Sequence, residues 1–65
     1  MSLTVREWRR VKEMSQETLA EKIHVHVGTI RNWEKDPGKI PIEKATELAK
    51  ALGVPIEDVI FTAKG

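Results

Sequence analysis

The chain has 65 residues, with 11 basic and 10 acidic side chains and a net charge of +1. One domain is the limit at this length, and a domain so small buries only about 60% of the surface its unfolded chain exposes. It has no cysteine, so disulfides and thiolate metal sites are excluded; with no apolar run near the ~20 residues of a membrane span and no signal peptide, a cytoplasmic protein is expected.

The charge is unevenly spread. Residues 1–12 hold four basic groups against one acid, 13–23 hold one against three, 24–44 hold four against three, and 45–65 hold two against three. The basic excess therefore lies toward the N-terminal half, and a patch this weak would bind a polyanion weakly by charge alone.

Thr4 with Glu7 three positions on predicts a capping box and a first helix. Val5 and Trp8 share its apolar face, with Arg9 beside them, and Lys12 and Glu13 close it. Ser15 predicts the cap of a second helix, with Glu17 in its first turn, where the helix dipole favours an anion. Leu19, Ala20 and Ile23 supply its apolar stripe. The stretch His24-Val25-His26 is read as a turn, and a third helix is predicted over Val27–Lys35. Ile30 and Trp33 fall on one side of that helix. Gly28, Arg31, Asn32 and Lys35 fall on the other.

"DPGK" at 36–39 is a turn by its Pro-Gly pair. Pro41 and Ile42 open a fourth helix whose apolar face is Ala45, Leu48, Ala49 and Leu52, and Gly53 stops it. A last short helix is predicted over roughly 56–61, starting with Glu57 and Asp58 and contributing Ile56, Val59 and Ile60 as its apolar residues. No strand alternation or repeat is visible. The expectation is a single all-α domain over 1–65, a compact bundle of about five short helices.

Two helices joined by a turn of about three residues cross at a wide angle, so the first props the second outward. The outer face of such a helix fits the major groove of DNA. With that geometry in view, "VREWR" at 5–9, "SQETLA" at 15–20, "TIRNWE" at 29–34, Pro41 and "LAKALGV" at 48–54 resemble, as an ordered set, the helix-turn-helix family of lambdoid repressors and Cro proteins, the XRE family. The likeness runs from about residue 5 to 61, with the helix-turn-helix at about 15–35.

The resemblance implies a lambda-repressor-like DNA-binding domain acting as a homodimer, at least on DNA. It implies a sequence-selective, double-stranded DNA-binding transcriptional regulator of the repressor/Cro kind. Base contacts would come from Val27, Gly28, Arg31 and Asn32. Phosphate contacts would come from Gln16, His26, Lys35, Lys39 and Arg9, and Arg9 would pair with Glu34 to hold the first and third helices together. The last helix, with Ile60 and Phe61, is the expected dimer surface.

The chain departs from the family pattern in instructive places. Glu13 and His24 stand where glycine is common, and a left-handed non-glycine residue costs ~1 kcal/mol. His26 replaces a serine or threonine cap. Val27 offers only an apolar contact, such as to a thymine methyl, and Gly28 offers no side chain, so modest specificity or help from DNA shape is expected. The alternative is a protein-interaction module on the same fold, antitoxin-like or an adaptor, with weak or no DNA binding.

Other chemistry is poorly supported. His24 and His26 lack further ligands for a metal site, and Ser15 reads as a cap rather than a nucleophile. Trp8 and Trp33 read as packing residues, and Lys44 and Lys50 as solvated. No catalytic residue, metal, cofactor, small-molecule ligand or membrane partner is expected.

Overall fold

Local chemistry at the helix ends sets the outline of this protein, and the computed structural model describes it over residues 1–62. Helix α1 (Val5–Val11) starts on the capping box: the Glu7 N–H donates to Thr4 Oγ1 at 3.2 Å, and the Thr4 N–H donates back to Glu7 Oε1 at 2.9 Å. Helix α2 (Gln16–Lys22) starts on Ser15, whose Oγ accepts from the Thr18 N–H at 3.0 Å. Helix α3 (Val27–Lys35) starts on His26, which supplies no side-chain cap. A single 3-10 turn at Pro37–Lys39 leads to helix α4 (Ile42–Leu52).

Three of the helices stop in the same way. After α1, the Glu13 N–H donates to Arg10 O and the Met14 N–H to Arg9 O. After α2, His24 and Val25 donate to Glu21 O and Ala20 O. After α4, Gly53 and Val54 donate to Lys50 O and Ala49 O. This pair of bonds satisfies carbonyls the helix would otherwise leave unpaired, and it requires one left-handed residue. Those residues are Glu13 (φ 52°), His24 (φ 58°) and Gly53 (φ 74°). Only Gly53 takes that conformation without a Cβ penalty.

The apolar stripes meet in one core. Leu19, Ile30 and Leu48 are completely buried at its centre, with Val5, Trp8, Ile23, Trp33, Ala49, Leu52 and Val59 around them. Each helix thus places one face inward at helical spacing. Lys50 is solvated as expected, whereas Lys44 is only half-exposed and lies 3.2 Å from Glu47.

The fifth helix is not there. Ile56–Asp58 is a 3-10 turn, and Val59–Ile60 is a short strand, β2, paired in parallel with β1 (Leu3–Thr4) in the register Leu3↔Val59, Thr4↔Ile60. Among the described residues, four α-helices and this pair replace the predicted five-helix bundle, and the reading of no strands is corrected with it. The cause is local and tertiary together. Val59 and Ile60 are β-branched and favour extended backbone. The Asp58 carbonyl, which a helix would use, instead accepts from Trp8 Nε1 at 2.7 Å. Of the three apolar residues read in this segment, Val59 is buried, Ile60 is half-buried and Ile56 is exposed. Phe61 is half-buried and packs against the core.

Candidate nucleic-acid interface

The turn between α2 and α3 sets the direction of α3. Ile23 is buried, His24 reverses the chain, Val25 packs against the core, and α3 leaves with Ile30 and Trp33 inward. Arg31, Asn32 and Lys35 are then left exposed on the outer face. The chain breaks at this point on local geometry: His24 is left-handed, and the His24 and Val25 N–H groups close α2 on Glu21 O and Ala20 O.

One carboxylate ties the surrounding elements together. Glu34 of α3 accepts from Arg9 Nε at 2.7 Å and Arg9 Nη2 at 3.2 Å, and from Gln16 Nε2 at 3.0 Å. Arg9 Nη1 also donates to the Met14 carbonyl at 2.9 Å. α1, α2, α3 and the turn after α1 therefore meet on one buried ion pair, whose side chains are only 14% and 5% exposed. A bidentate pair of this kind fixes orientation as well as distance. Three of the five guanidinium N–H donors of Arg9 are engaged, and two are left for an outside acceptor.

This clamp floors an open cleft of about 830 Å3. Gly28, Arg31, Asn32 and Lys35 line it from α3, and Ser15, Gln16 and Glu17 from the start of α2. Of the site residues read from the sequence, Gln16, Gly28, Arg31, Asn32, Lys35, Arg9 and Glu34 come together here. His26, Val27 and Lys39 do not line it. His26 is exposed at the start of α3. Val27 is half-buried and spends part of its side chain on the core. Lys39 is exposed beyond α3, with Nζ 4.0 Å from Asp36 Oδ2. A Cβ added to Gly28 would meet nothing within 4 Å, so the glycine leaves open space that packing does not demand.

Two basic residues of the cleft were missed in the sequence, and Ser15 and Glu17 were read only as the cap and first-turn acid of α2. Arg6 and Arg10 line it from α1, one helical turn apart. The N-terminal basic excess hinted at them, but only the tertiary structure, in which Arg9 of α1 is bonded to Glu34 of α3, shows which way they face. Among the described residues, none of Arg6, Arg10, Arg31 and Lys35 is in an ion pair, whereas Arg9 is neutralised by Glu34. The cleft thus sets four unpaired cations against one unpaired acid, Glu17. Its chemistry suits a polyanion with a flat polar surface beside it. Among the described residues, no group of acidic and histidine side chains is arranged to hold a metal ion, and no helix is long and apolar enough to cross a membrane.

Comparison with known proteins agrees with this architecture. The helix-turn-helix family model matches residues 5–59. Over 53 residues the chain is 38% identical to an uncharacterized transcriptional regulator in the ATPase CF(0) region of Rhodospirillum rubrum, covering 82% of this chain and 49% of that protein. The chain therefore spans about half the length of that relative. No solved structure matches.

Proposed function

This chain belongs to the helix-turn-helix family of the XRE, Cro/C1 type, and from that premise we propose that it is a sequence-selective regulator that binds double-stranded DNA with α3 in the major groove. The observation that carries the reading is the division of α3 into a buried apolar face and an exposed edge of Arg31, Asn32 and Lys35 above a cationic cleft. Arg31 and Asn32 have the donors and acceptors that base edges require. Gly28 lets the backbone approach, and Val27 offers its remaining apolar surface. Lys35, Lys39, His26, Gln16 and the two free donors of Arg9 are assigned to phosphates, which fix register without reading sequence. Two copies on a two-fold site, with half-sites about 34 Å apart, would act as a repressor by occluding the operator. A complex holding a single copy, measured by ultracentrifugation on and off DNA, contradicts the homodimer. Ile60 and Phe61 remain the proposed surface for it, now as a strand and its flank. A cytoplasmic location goes with this role.

The test separates reading from attraction. Asn32→Ala is expected to relax preference at one or two base pairs by about 1–3 kcal/mol. Lys35→Ala should weaken all duplexes alike and lower the salt slope by roughly one. Equal loss from both variants on every sequence would remove Asn32 from the base-reading set.

The protein-interaction reading is favoured by one feature, the open space at Gly28 on the face that should read bases. It predicts a flat response of duplex binding to salt, against a slope of roughly −0.9 per neutralised phosphate for a DNA-binding protein.

A further inference from the structure

We infer that Arg6 and Arg10 form a second phosphate-binding row on α1, which holds the backbone of the strand bordering the groove that α3 enters. This rests on the DNA-binding reading above and extends it to a helix outside the helix-turn-helix.

Three observations converge on these two residues. First, both are exposed and both line the cleft shared with Arg31 and Lys35, so they face the same ligand. Second, neither is in an ion pair among the described residues, so their charge is not already committed. Third, the arginine between them in sequence is spent differently. Arg9 turns inward to Glu34, and the free charge of α1 is thereby moved to the outer edge, at Arg6 and Arg10. A rise of about 6 Å separates residues four apart on a helix. Phosphates of one DNA strand advance by about 3.4 Å along the axis. The two spacings differ by only a few ångströms, which long flexible guanidinium side chains can span, so the pair can meet neighbouring phosphates of one strand. Arginine suits this role through its bidentate geometry.

Such contacts carry affinity and not sequence preference, and this sets the test. Duplex binding is titrated as a function of salt for the wild type and for three double variants, each checked for native helical content. The duplexes are the sequence selected from a random pool and a random-sequence control. Arg6→Gln/Arg10→Gln should make the log–log salt slope shallower by roughly two and weaken binding near physiological salt roughly 10–50-fold on both duplexes, leaving their ratio unchanged. Arg6→Lys/Arg10→Lys should keep most of the slope. Lys22→Gln/Lys50→Gln removes the same charge from a separate groove between α2 and α4 and should leave the slope near the wild-type value.

The inference is overturned if the Arg→Gln pair changes the slope no more than the Lys→Gln pair. It is overturned also if the ratio between the two duplexes collapses, because the arginines would then read bases. Tighter binding of single-stranded RNA than of duplex, lost in the same variant, would assign the row to another polyanion. A wild type without salt-dependent duplex binding ends the regulator reading itself. A wild type that selects and binds its duplex while the Arg→Gln pair behaves as the control ends only the role of Arg6 and Arg10.

Discussion

The turns after α2 and α4 have the same backbone and different residues. Both close their helix with the same two carbonyl bonds and one left-handed residue, but α4 uses Gly53 and α2 uses His24. The next step differs as well. Beyond Gly53 the chain merely runs to a short turn, whereas beyond His24 it must start α3, and His26 gives that helix no side-chain cap. α4 has no side-chain cap at Pro41 either, but it ends on two carbonyl bonds and a glycine, whereas α3 ends on one bond from the Asp36 N–H to Asn32 O, so the helix that presents the outer face is the one least secured at its two ends. Its position depends on Ile30 and Trp33 in the core and on Glu34 in the clamp with Arg9 and Gln16. Among the described residues α4 has no such side-chain tie to another helix, and it rests on its apolar face and glycine stop.

If that contrast is right, the largest effect comes from cutting the tie. Arg9→Ala leaves the carboxylate of Glu34 buried with Gln16 as its remaining side-chain partner, and should cost about 3–5 kcal/mol. A domain this size holds roughly 3–10 kcal/mol in total, so thermal unfolding should shift to much lower temperature or native structure should be lost. A melting temperature equal to that of the wild type would show that the clamp does not hold α3.

Gly53→Ala should cost about 1 kcal/mol by denaturant unfolding. A Cβ there would meet nothing within 4 Å, so the loss would report backbone conformation alone. His26→Ser should stabilise by roughly 0.5–2 kcal/mol by supplying the missing cap. No gain would mean that α3's first turn is already satisfied by tertiary contacts. The smallest change, His24→Gly, should raise stability by about 0.5–1 kcal/mol, since it relieves the left-handed penalty but loosens the unfolded chain. If His24→Gly destabilises instead, the histidine is held by something other than backbone geometry, and the two turns are not equivalent.

Much of this was legible where a signal is local. The Thr4–Glu7 box, the Ser15 cap, the bounds of α3 and the Gly53 stop depend on residues within a few positions of each other. The apolar stripes of α2 and α4 point to one core for the same reason. The strand pair was not legible. Its strands are two residues long, too short to show alternation, and each needs a partner more than fifty positions away. A run of Ile56, Val59 and Ile60 is also compatible with a helix face, and it is β-branching, the pairing with β1 and Trp8's bond to the Asp58 carbonyl that together decide against one. The clamp was visible as a resemblance, but not the part Gln16 plays in it. Arg6 and Arg10 were visible only as charge, because the direction of an exposed arginine depends on which helix lies beside it.

The most direct test of the central claim is selection from a random duplex pool near physiological salt, followed by sequencing of the bound fraction. The account predicts an enriched, roughly palindromic motif with half-sites about 10 base pairs apart. No enrichment, from folded protein of verified active concentration, would contradict it and transfer the outer face of α3 to a protein partner.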